Sequence, residues 1–152
     1  MLAEMSREEI LQWLTENGWS PERQVGERCA EFISAAVEDS VGEGFPVTPF
    51  ETAESFLASF GLLTLAHPTD SESRLVINPT GGYEGDFGEI AELSEELNRR
   101  LFRVGYDLPD GGIMLVAEDG GFYCLHHAGS FSLGKGAYEF FRNWVRGDLR
   151  SV

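Results

Sequence analysis

The sequence predicts an α+β fold: one domain in which a mainly antiparallel (mixed) sheet of about five to six strands packs with about five helices. Three observations carry this. Helix-period and strand-like segments each come in runs, without the regular alternation that builds a parallel sheet. The 152 residues are 42% hydrophobic and 12% aromatic, enough material for one core at the usual size of one domain. There is no internal repeat, low-complexity tract or dividing linker, and the stretch from Gly42 to Pro49 reads as a connecting loop.

The elements follow in order. Ser6 and Glu9 form a capping box, and Ile10, Trp13 and Leu14 make a short apolar stripe before Gly18 stops the helix. Ser20-Pro21 reads as the start of a second helix, whose stripe of Val25, Cys29, Phe32, Ile33, Ala36 and Val37 runs to about Asp39. A second capping box, Thr48 with Glu51, opens a third helix with Ala53, Phe56, Leu57 and Phe60 inward, and Gly61 is placed as its left-handed cap. Two short strands are predicted at 62–66 and 74–78, joined by a turn rich in Pro, Asp and Ser. Residues 86–101 return to helical period, with Phe87, Ile90, Leu93, Leu97 and Leu101 on one arc and Glu89, Glu92, Glu95, Glu96, Arg99 and Arg100 opposite. Strands follow at 102–106, 113–117 and 122–126, the last two joined by the hairpin signal Glu118-Asp119-Gly120-Gly121. After a loop from Gly129 to Gly136, Tyr138, Phe141, Trp144 and Val145 form a final helix that Gly147 closes.

Charge sets the first limits on function. With 26 acidic and 11 basic side chains the net charge is −15, so a nucleic-acid backbone or an anionic membrane would be repelled by most of the surface. Residues 1–50 and 51–100 each hold ten acids and three bases, whereas 101–152 hold six and five, which predicts a polarised surface. Cys29 and Cys124 form no framework and sit in apolar segments, as buried thiols in a reducing compartment do. Glu4, Glu8 and Glu9 replace the basic leader of a signal peptide, and the apolar runs are too short for a membrane span, so the expected location is cytoplasmic.

Chemical motifs are sparse. Gly129-Ser-Phe-Ser-Leu-Gly134-Lys135 matches part of a phosphate-binding loop, but Gly136 stands where a magnesium-binding hydroxyl belongs, and a Gly-rich connector is the better reading. Cys124, His126 and His127 lie close in sequence, yet strand alternation puts His127 opposite the other two, against a metal site. Glu118-Asp119 suits a turn better than a catalytic carboxylate pair. No cofactor and no metal are expected. Glu95 with Arg99 and Glu96 with Arg100 have the i, i+4 spacing of self-satisfied pairs. Glu84, Asp86, Glu89 and Glu92 have no such partners, so the acidic face is read either as a solvated surface or as a binding surface.

A set of short motifs spanning residues 10–147 resembles the SUKH superfamily of immunity proteins, nearest its SUKH-3 group of bacterial polymorphic toxin systems. The carriers are Gly18-Trp19 with Pro21 and Arg23, then Ala53-x-x-Phe56-Leu57-x-x-Phe60-Gly61-Leu62, then Asn78-Pro79 and Phe102-x-Val104-Gly105. Gly121-Phe122-Tyr123, Leu133-Gly134, Trp144 and Gly147 complete the set. Leu62 stands where the family commonly has a second glycine, and Arg103 where it commonly has a proline. The resemblance implies a non-catalytic protein that binds and blocks a cognate toxin domain, often a nuclease or nucleic-acid deaminase. A basic toxin surface would match the charge, and the expected contact residues, taken from the acidic helix alone, are Glu84, Asp86, Glu89, Glu92 and Glu96. Two other readings stand beside it: an interaction scaffold on the same fold, and a small enzyme using His126 or Glu118-Asp119.

Overall fold

A seven-stranded antiparallel sheet organises the chain, and its strands lie side by side in the order in which they occur in the sequence. The computed structural model describes residues 5–152, so Glu4 of the acidic N-terminal segment falls outside the described residues. The elements are α1 (Arg7–Glu16), α2 (Gly26–Gly42), α3 (Glu51–Phe60), β1 (Thr64–Ala66), β2 (Arg74–Val76) and α4 (Asp86–Leu97). They continue with β3 (Leu101–Leu108), β4 (Ile113–Ala117), β5 (Gly121–His126), β6 (Gly129–Lys135), α5 (Ala137–Arg146) and β7 (Arg150–Ser151). The expected α+β class and five helices are present, with seven strands where five to six are expected.

The sheet is covered on both faces, unequally. Along β4, Met114 and Val116 point into a core shared with α1, α2, α3 and α5, while Ile113, Leu115 and Ala117 point into a second core roofed by α4 alone. All five residues of β4 are therefore buried, which is why this strand reads as an unbroken apolar run. The larger core centres on Phe56, whose ring lies 5.0 Å from Phe122, 5.1 Å from Phe60, 5.9 Å from Phe140 and 6.0 Å from Phe141. In the smaller core Phe87, Ile90 and Leu93 of α4 rest on Leu101, Leu125 and the β4 side chains. Both cysteines are free and buried, and burial pushes the Cys124 thiol up to about 12.

Local signals hold where a motif is self-contained. The Ser6–Glu9 capping box closes in both directions, the Ser6 hydroxyl accepting from the Glu9 amide and the Glu9 carboxylate from that of Ser6. Elsewhere tertiary partners decide. Ser20-Pro21 starts no helix; Arg23 N–H bonds Ser20 O in a turn, the Arg23 guanidinium bonds Ser59 O and Val25 N–H bonds Ala58 O, so α2 begins only at Gly26. Thr48 does not cap α3, which starts after Phe50, a residue drawn into the core. Gly61 is not left-handed, at φ −56° and ψ 149°; it is a glycine because a Cβ there would collide with the Leu57 carbonyl and the Cys29 sulfur. The positive φ falls one residue later, on Leu62 at 68°, which directs the Leu62 N–H to Ile77 O and lets Leu63 O accept from Ile77 N–H. That is the position where the resemblance expects glycine.

The expected loop from Gly129 to Gly136 is instead β6. It pairs with β5 on one side and β7 on the other, Leu133 is buried, and the Asn143 amide of α5 donates to Leu133 O. Its glycines masked a strand because Gly134 and Gly136, both at positive φ, mark its irregular end rather than a break.

Candidate partner-binding face

The outer surface of α4 is set by how the helix is tied down. Its first residue, Asp86, is 0% exposed and pairs with Arg103 of β3, itself 4% exposed, at 2.7 Å. Arg103 also donates from Nε to Pro79 O at 2.8 Å and lies 4.4 Å over the Phe87 ring. One guanidinium thus joins β3, the loop after β2 and the start of α4. Asp86 is a strut of the fold and not a contact residue, which corrects its expected place on the acidic surface. The sequence pattern could not show this, because the partner lies 17 residues away on a strand.

The other expected residues are on the surface. Glu84, in the turn before the helix, and Glu89, Glu92 and Glu96 along it are all exposed, as is Glu95. Glu89 accepts the Tyr83 hydroxyl at 2.7 Å, and burial together with that carboxylate pushes the Tyr83 phenol well above its ordinary value.

The i, i+4 pairs expected from Glu95 and Glu96 do not form. The helix ends at Leu97, Asn98 takes a left-handed conformation at φ 54°, and Arg99 and Arg100 swing to the β4–β5 turn. There Arg99 meets Asp119 and Arg100 meets Glu118, each at 2.8 Å. Both turn carboxyls are held below their ordinary values, Glu118 chiefly by Arg100 and Asp119 chiefly by the Gly121 N–H, so each is committed to a structural partner. Among the described residues, Glu84, Glu89, Glu92, Glu95 and Glu96 are in no ion pair. The ridge is therefore more uncompensated than its own sequence suggests.

The remaining motifs come out differently. His126 and His127 do not diverge: strand pairing ends at His126, alternation ends with it, and their rings lie 3.9 Å apart. They line a cleft of about 220 Å³ with Glu89, Glu92 and Glu96. No group of three or more His, Cys, Asp and Glu side chains among the described residues is placed to hold a metal ion. Gly129 to Lys135, being a strand paired on both sides, cannot wrap a phosphate. Sequence reasoning missed the aromatic side chains around the ridge, Phe45 and Tyr83, which lie in Gly-rich segments with no periodicity to mark them.

The architecture is that of an acidic α+β protein on an antiparallel meander, with one helix standing alone on the second face of the sheet. A family model described as SUKH-3 immunity protein matches residues 6–147, from the first capping box to the residue after α5. The chain belongs to the SUKH-3 immunity protein family. No curated protein and no solved structure gives a significant match to it. Among the described residues no helix is long and apolar enough to cross a membrane.

Proposed function

We propose that the chain neutralises a cognate toxin by binding it stoichiometrically, with the exposed ridge of α4 facing a basic surface of the toxin. Family membership supports the toxin partner. The observation that carries the location is the ridge itself: Glu89, Glu92, Glu95 and Glu96 lie on one helix with no ion pair among the described residues, beside Glu84 in the preceding turn. Uncompensated charge of one sign steers an oppositely charged partner and suppresses binding of others. A nuclease or nucleic-acid deaminase domain fits best, since its substrate groove is basic and a −15 protein can lie where the phosphates would. The protein acts by occlusion, without chemistry of its own, in the cytoplasm of the producing bacterium.

The test is co-expression with nuclease and nucleic-acid deaminase toxin domains, beginning with any that adjoins this gene, followed by binding kinetics on the purified pair that protects. Protection of the cells and an association rate that falls steeply with added salt are expected. The double reversal Glu89→Lys with Glu92→Lys should slow association by about tenfold while leaving the thermal melt in place. An unchanged on-rate in that variant would remove α4 from the interface.

A further inference from the structure

Beside the acidic ridge lies an apolar site. A pocket of about 470 Å³ opens between the 44–48 loop and α4, with Phe45, Pro46 and Val47 on the loop side and Ile90 and Ala91 on the helix side. Phe45 is 46% exposed, and its ring leans on the helix at Gly88, where a Cβ would come within 3.3 Å of it. Glycine at 88 thus lets the ring approach the ridge. The next residue is Glu89, whose carboxylate holds the hydroxyl of Tyr83, an aromatic side chain itself 41% exposed. Two large aromatic surfaces therefore stand against the first turns of α4, beside its unpaired acids.

The charges around the pocket are not symmetrical. Glu95 lines it without an ion-pair partner, while Glu89 and Glu92, also unpaired, lie on the adjoining flank of α4 that faces the His126–His127 cleft. The cation in the lining, Arg100, is already bound to Glu118 and packs toward the Phe50 ring. An incoming surface thus meets an apolar hole beside negative charge, the arrangement in which a central anchor excludes water and surrounding charges select the partner.

We propose that this pocket is the anchor of the toxin interface, taking one apolar or aromatic side chain that projects from a basic surface of the toxin. The assignment rests on the toxin-neutralising reading and divides the work within it. The pocket sets how long the complex lasts, because a buried anchor must leave its hole before the surfaces part, while the acids set how fast it forms.

Two variants test the pocket, with the purified toxin domain that the co-expression test identifies as the probe. Phe45→Ala removes one wall, and Ala91→Phe fills the cavity from the helix side. Each should speed dissociation about tenfold or more, with the on-rate and its salt dependence unchanged. The double charge reversal at Glu89 and Glu92 should instead slow association and leave the dissociation rate unchanged. If both pocket variants dissociate as the parent does while charge reversal slows association, the anchor is wrong and the acidic-face reading stands. If the pocket variants speed dissociation but charge reversal has no effect, the anchor stands and steering by the ridge is wrong. A parent protein that protects against none of the co-expressed toxin domains removes the immunity reading and the anchor with it. Phe45 is half exposed, so its truncation should leave the fold intact; if Ala91→Phe melts early, Phe45→Ala alone decides.

Discussion

The two faces of the sheet are built on different physical terms. On one, four helices pack a continuous core in which Phe56 touches four other aromatic rings. On the other, a single helix rests on a smaller apolar cluster and is tied at its first residue by one buried ion pair. Because a helix needs only one apolar stripe to stay docked, α4 leaves most of its circumference free. Its outer arc can carry uncompensated charge at small cost to folding. Stability is concentrated on one side of the sheet and recognition is proposed for the other.

The largest effect is expected in the four-helix core. Phe56→Ala should destabilise the protein by roughly 3 to 5 kcal/mol, measured by urea or thermal unfolding, because the surrounding rings cannot collapse into the space it leaves. A loss below about 1 kcal/mol would mean that the aromatic cluster is not the main core. Next comes the strut on the other side. Arg103→Met leaves the Asp86 carboxylate buried and unpaired and should cost roughly 3 kcal/mol or more, whereas Asp86→Leu together with Arg103→Met should recover most of that loss. If the single and double variants unfold alike, the ion pair is not what fastens α4.

A smaller effect sharpens the contrast through pH. Asp107 of β3 accepts from Trp144 Nε1 of α5 at 3.2 Å and from Gly112 N–H at 2.7 Å, yet burial, with the nearby Asp110 charge, raises its carboxyl above the ordinary value. An acid whose folded-state value is raised binds its proton more tightly folded than unfolded, so its contribution to stability falls as pH rises from about 4 through that raised value. Asp107→Asn should flatten this part of the stability-against-pH curve, followed by thermal melts at several pH values. A curve as steep as the parent's would assign the dependence to other groups. The smallest effect is expected on the ridge: Glu96→Gln should leave the melting temperature unchanged, since Glu96 bonds no arginine, whereas Glu118→Gln should lower it by releasing Arg100. Equal losses in the two would restore the helical pairing that the Asn98 turn prevents.

Much of the fold was legible because it depends on short-range patterns. The Ser6–Glu9 box, the stripe of α3, the run of β4, most of the α5 stripe and the α4 arc as far as Leu97 are properties of neighbouring residues, and the structure reproduces them, whereas Leu101, expected on that arc, opens β3 and the buried Phe140 joins the α5 stripe. Strand β6 was hidden because glycines that serve irregular positions in a paired strand look, in isolation, like loop residues. The same limit applied to the site. Glu89, Glu92 and Glu96 are on the surface as the helical period requires, but Asp86 shares their charge and not their position, since a guanidinium from β3 draws it inward. Phe45 and Tyr83 carry no periodic signal, and only the contact with Gly88 and the hydrogen bond to Glu89 place them beside the ridge.

Local patterns in the chain were enough for the class of fold, the locations of most helices and strands, the acidic balance of −15 and the resemblance to an immunity family. Which charges are free is settled by packing. Ion pairing depends on distances between elements remote in the chain: Arg99 and Arg100 leave the helix for Asp119 and Glu118, Arg103 takes Asp86 into the interior, and the acids between them remain unpaired among the described residues. Charge can be counted along a chain, but its compensation is settled only when the chain folds, because Coulomb attraction acts through space and not through sequence.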